Sequence, residues 1–171
     1  MGMNPISCHT NRKRREGGRM KISTKGRYAL RLAIDVAQHQ LAGPVPLRES
    51  AKRQGISVKY MEQLAAQMTH GGLLTSTRGA HGGYRLARLD TDITAGDILR
   101  VSEGGYAPVA CLEDDFGICP HRGACETIAF WEGLDQAIER YVDSVTLADL
   151  VAQAQQAASR AQEAFPLRHS R

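Results

Sequence analysis

The chain has 171 residues, 42% hydrophobic and 5% aromatic, which suits one aliphatic core or a small domain with an added arm. Its net charge of +4 is uneven: residues 1–19 carry +4, residues 20–100 carry +6 and residues 101–171 carry −6. No apolar run approaches the roughly 20 residues that span a bilayer and no apolar leader is recognisable, so a cytoplasmic protein without a membrane partner is expected.

Residues 1–19 are polar, lack periodicity and read as a disordered basic extension. Glu16-Gly17-Gly18 stands just before Met20, and its codons can spell a ribosome-binding sequence; the expected native start is therefore Met20. From there to residue 103 the pattern is that of a winged helix-turn-helix. Leu30, Ala33, Ile34, Ala37 and Leu41 form one apolar stripe of a helix from Thr24 to Leu41, capped by Ser23 or Thr24 and stopped by Gly43-Pro44. A second helix is predicted from Pro46 to Gly55, and a third from the cap Ser57 to His70. Leu73–Thr77 and Tyr84–Ala87 read as short strands around a glycine-rich turn, and Thr94 with Asp97 has the spacing of a capping box before a short helix. Residues 104–124 form a cysteine-containing loop. Residues 125–158 form dimerisation helices: Ile128, Trp131, Leu134, Ile138, Tyr141 and Val145 make one stripe on a helix from Cys125 to Ser144, and Thr146 with Asp149 opens a last helix. Residues 159–171 are expected to fray into a disordered tail. The fold class is mostly α with a small β-wing, a winged helix-turn-helix plus a long dimerisation helix.

Two short helices joined by Gly55-Ile56-Ser57 are the helix-turn-helix pattern, in which the first turns of the second helix enter the major groove. Those turns carry Ser57, Lys59, Tyr60, Glu62 and Gln63. Lys59 can meet phosphate or guanine, Glu62 the cytosine amine and Gln63 adenine, whereas Leu64 and Met68 face the core. Tyr60 fits core packing and phosphate contact equally. Arg78 and His81 sit on the wing tip, where a basic side chain can enter a minor groove. The expected partner is double-stranded DNA, in keeping with the cationic charge of this half.

Cys111, Cys119 and Cys125 fall within 15 residues, whereas Cys8 stands apart. Three thiolates on a short loop suit an iron–sulfur cluster. Zinc with His121 as fourth ligand and a thiol redox switch are the competing readings, and the tight cysteine pairs common in structural zinc sites are absent. Glu113-Asp114-Asp115 reads as a solvated turn. No nucleophile elbow, phosphate loop or paired carboxylate constellation points to an enzyme.

Thr24-Lys25-Gly26-Arg27-Tyr28-Ala29, Gly43-Pro44-Val45-Pro46-Leu47, Gln54-Gly55-Ile56-Ser57, Tyr60-Met61-Glu62-Gln63-Leu64 and Arg78-Gly79-Ala80-His81-Gly82-Gly83-Tyr84, in this order, resemble the Rrf family of winged-helix regulators. The resemblance spans about Met20 to Leu150. It implies homodimers on palindromic operators, base contacts from Ser57, Tyr60 and Glu62, a minor-groove arginine at Arg78, and a dimer interface along the Trp131 helix. It also favours a cysteine-held cluster, of the 2Fe-2S or 4Fe-4S type, sensing iron, redox or nitric oxide status. The chain departs from two fourth-ligand patterns of that family: Ile128 stands where some members have histidine, and Arg27 where others have aspartate. The fourth ligand stays open between His121, Glu126, a partner-chain group and a small thiol. A cluster-free regulator of the same family, responding to a thiol, zinc or a protein partner as regulators of cysteine metabolism do, is the alternative.

Overall fold

A computed structural model describes residues 22–79, 81–105, 107–112 and 122–164; the basic extension 1–19 lies outside them. Among the described residues six α-helices and one hairpin follow in the order α1 (Thr24–His39), α2 (Leu47–Gln54), α3 (Val58–His70), β1 (Leu74–Thr77), β2 (Gly83–Leu86), α4 (Ala95–Glu103), α5 (Ile128–Ser144) and α6 (Leu147–Ala164). The strands pair antiparallel, with Leu74 opposite Leu86 and Thr77 opposite Gly83. The fold is the expected winged helix-turn-helix with long C-terminal helices.

The core is aliphatic. Leu32 and Val36 of α1, Met61, Leu64 and Met68 of α3, Leu73, Leu74, Ile93, Ile98 of α4 and Leu147 of α6 are all buried in one cluster. Val45 extends the hairpin: its N–H donates to the Tyr84 carbonyl at 2.8 Å and its carbonyl accepts from the Tyr84 N–H at 2.9 Å. A second bridge pairs Thr94 with Thr146, so the start of α6 is stitched to the strand-like residues before α4. Gly55 takes φ +66 between α2 and α3, a left-handed turn that glycine enters without a Cβ penalty.

Three boundaries differ from expectation. α1 ends at His39, not Leu41, because Gln40–Ala42 tightens into a 3-10 turn before Gly43. α5 begins at Ile128 rather than Cys125: Thr127 is its cap, at φ −109 and ψ 0, after a separate 3-10 turn over Arg122–Ala124. α6 runs to Ala164, through residues 159–164 that were expected to belong to a disordered tail. Its Ala, Gln, Glu and Arg side chains are strong helix formers.

Candidate nucleic-acid interface and cysteine loop

Ser57 caps the recognition helix α3, its hydroxyl oxygen accepting from the Tyr60 N–H at 3.2 Å. The extended backbone of the cap turns the first residues of α3 outward, and Ser57, Lys59, Glu62 and Gln63 are all exposed. Met61, Leu64, Ala65 and Met68 fill the opposite, buried face. Tyr60 is half-buried and packed: its ring meets Tyr28 of α1 edge-on, with centroids 6.0 Å apart. Arg31 of α1 lies over the other partner of that pair, 5.1 Å from the Tyr28 ring. On the wing, Arg78 and His81 are exposed at the tip between β1 and β2. The Gly82 N–H closes that turn onto the Gly79 carbonyl at 2.9 Å.

The helix-turn-helix is held to α1 by a contact that periodicity did not reveal. Asp35 sits on the buried face of α1 at 2% exposure. Arg53 of α2 grips it with both prongs, Nε to Oδ1 at 2.7 Å and Nη2 to Oδ2 at 2.8 Å. Burial pushes the Asp35 carboxyl up, but the hydrogen bonds to it, led by those of Arg53, together with the Arg53 charge outweigh it and hold the carboxyl below its ordinary value. The available signal was a carboxylate among Leu32, Ala33 and Val36, since a buried charge requires a partner. A second such contact fixes the start of α1. Glu103, the last residue of α4, accepts on one oxygen from the Ser23 N–H at 3.0 Å, the Ser23 hydroxyl at 2.7 Å and the Gly26 N–H at 2.8 Å. A carboxylate from elsewhere in the chain thereby caps the helix N-terminus, where negative charge is favoured.

α4 also grips α5. Arg100 Nη2 donates to Asp143 Oδ2 at 2.6 Å, and the Thr94–Asp97 capping box sets the start of the same helix. Along α5, Val142 is buried, whereas Ile128, Trp131, Leu134, Ile138 and Val145 are half-buried and Tyr141 is 69% exposed. Phe130, which the stripe omitted, is 65% exposed and meets Trp131 edge-on with centroids 4.9 Å apart. Phe130 and Tyr141 are therefore left largely uncovered within the described chain, and the rest of this apolar face is covered in part.

The cysteines bracket the segment between α4 and α5. Cys111 lies in a short 3-10 turn over Ala110–Leu112, and Cys125 precedes α5; both are half-buried free thiols. A hydrogen bond with the Thr127 hydroxyl, Sγ to Oγ1 at 3.5 Å, and the Thr127 and Ile128 backbone draw the Cys125 thiol below its ordinary value. Cys119, His121 and Glu113–Asp115 lie outside the described residues. Among the described residues no group of three or more His, Cys, Asp or Glu is placed to hold a metal. Both described cysteines are free thiols, the donor type that soft metal centres take.

A sequence profile of the Rrf2 family, described as an iron-dependent transcriptional regulator, matches residues 22–153. The chain belongs to the Rrf2 family. An Rrf2 chain is a DNA-binding transcription regulator and not an enzyme. Protein rrf2 of Nitratidesulfovibrio vulgaris is 42% identical over 132 residues, covering 77% of this chain and 87% of that protein. The HTH-type regulator CymR of Bacillus subtilis is 42% identical over 131 residues, covering 77% and 89%. Among solved structures, B. subtilis CymR, described as the global cysteine regulator, superposes with a TM-score of 0.64 at 41% identity, covering 78% of this chain and 97% of that one. T. potens IscR gives the same TM-score of 0.64 at 44% identity, covering 80% and 90%. Among the described residues of this Rrf2 chain no helix is long and apolar enough to cross a membrane.

Proposed function

We propose that this Rrf2 chain is a homodimeric regulator that reads a palindromic operator and senses iron, redox or nitric oxide status through a cysteine-held iron–sulfur cluster. One observation carries the reading: free Cys111 and Cys125 lie on the segment that leaves α4, whose last residue Glu103 caps α1, and leads into α5 with its exposed Phe130 and Tyr141. In each protomer Ser57, Tyr60, Glu62, Lys59 and Gln63 face the major groove, and Arg78 with His81 reach the minor groove. The α5 face of Ile128, Trp131, Leu134, Ile138, Tyr141 and Val145 meets its counterpart in the partner. Cys111, Cys119 and Cys125 would hold the cluster, with His121 a candidate fourth ligand; such a group supplies reversible redox chemistry and lability to iron loss and nitric oxide.

The loop cysteines act on the recognition helices through α4. That helix holds α1 through Glu103 and α5 through Arg100, so a change in the loop biases the relative placement of the two reading heads. A cluster-free, thiol-responsive regulator is the second reading, favoured by the 42% identity to CymR. Anaerobic purification with an absorbance spectrum and iron and sulfide counts separates the two. A coloured protein with stoichiometric iron is expected, lost in a Cys111→Ser, Cys119→Ser, Cys125→Ser variant that still binds DNA but no longer responds. A colourless wild-type protein would exclude the cluster.

A further inference from the structure

The aromatic contact beneath Tyr60 has a charged outer member that the reading head does not otherwise use. Arg31 is exposed on α1. Its Nε donates to Gln54 Oε1 at 2.7 Å, at the last residue of α2, and its guanidinium carbon lies 5.1 Å from the centroid of the Tyr28 ring. Tyr28 in turn abuts Tyr60 in the first turn of the recognition helix. Among the described residues no protein acceptor takes its two terminal amino groups. An arginine has five donors in a rigid fork. Here one donor and one face are used to fix the fork beside the helix-turn-helix, and the remaining donors face water. In this fold the recognition helix enters the groove while the helix before it crosses the sugar–phosphate backbone. Arg31 is tied to the end of that crossing helix. The reading half as a whole is cationic: α2 and α3 expose Lys52 and Lys59 beside Glu49 and Glu62, and the buried acid Asp35 is paired with Arg53.

We infer that Arg31 is a further DNA-backbone contact, a preorganised phosphate clamp at the α1–α2 edge of the reading head. The clamp reads no base, so it contributes equally on every sequence, and it acts through charge, so its contribution fades with salt. The inference rests on the DNA-binding reading.

The test uses the full-length protein and a labelled duplex of about 30 base pairs of arbitrary sequence, with binding followed by anisotropy from about 50 to about 200 mM salt. For Arg31→Gln the slope of log K against log salt is expected to become shallower by about 0.9 for each arginine lost from the bound species. Arg31→Lys keeps the charge and should restore most of the wild-type slope. Thermal melts of both variants should match the wild type. If Arg31→Gln keeps the wild-type slope, the inference fails while DNA binding stands. If the wild-type protein does not hold the duplex at all, both readings fail together.

Discussion

Asp35 occupies a position on α1 where an apolar side chain would pack without cost, and the molecule offsets its burial with a two-pronged arginine. Arg53 keeps 32% of its side chain exposed, so removing the carboxylate leaves the cation in contact with water. Asp35→Asn is therefore expected to cost about 2 kcal/mol, less than the roughly 3–5 kcal/mol of a fully buried broken pair. The sign of the pH dependence follows from the direction of the shift. The folded state holds Asp35 below its ordinary value of 3.8, so it binds fewer protons than the unfolded chain near that pH. The contribution is fully present above the unfolded value and is lost as pH falls through the lowered folded value. Urea unfolding from about pH 7 down to about pH 3 should show the gap between wild type and Asp35→Asn closing at the acid end. A gap that stayed constant would mean that the pair does not set it. Tyr60 shows what sequence leaves open at this scale: its spacing allowed core or DNA, and the structure adds an edge-on contact with Tyr28 that no periodicity signals, on a ring that stays half-buried.

Among the elements, α1 depends on a residue 77 positions away. A Cβ on Gly26 would run into Glu103 Oε1, the same oxygen that receives the Ser23 and Gly26 donors. Gly26→Ala should thus destabilise the protein by about 1–3 kcal/mol, seen as a lower midpoint in thermal melts. Combined with Glu103→Ala, which removes both the obstacle and the cap, the two losses should sum to less than their separate values. Full additivity would show that the two residues are not coupled. The local parts of this architecture were legible: Ser57 and the Thr94–Asp97 and Thr146–Asp149 boxes are short-range signals, and each caps where its spacing said. Glu103 was not legible, because a cap supplied from another helix leaves no periodic trace. Nor was the Val45 bridge, since Gly43-Pro44-Val45-Pro46 reads as loop until Tyr84 is brought beside it. The start of α5 was misplaced because Thr127 takes the cap position without a side-chain cap hydrogen bond, so nothing in the local pattern marks the boundary between Cys125 and Ile128.

At the scale of the whole molecule, the proposed dimer joins the charge division to the apolar α5 face: a second copy packed there would let two cationic reading halves span two operator half-sites. Trp131→Glu should convert the dimer to monomer in gel filtration and weaken operator binding by about tenfold or more, while the melt of the winged-helix core shifts by no more than about 0.5 kcal/mol. A variant that eluted as a dimer would place the interface elsewhere. The Arg100–Asp143 contact and the Thr94–Thr146 bridge both end on α4 or its cap. They bring the two ends of the 104–142 excursion back to the same short helix, so the excursion leaves and rejoins the core at neighbouring points. Loop-closure entropy rises only with the logarithm of length, about 0.6 kcal/mol for each doubling. A change of length between α4 and α5 should therefore cost little in closure entropy, while the end contacts on α4 remain the route by which the state of this segment reaches the reading heads.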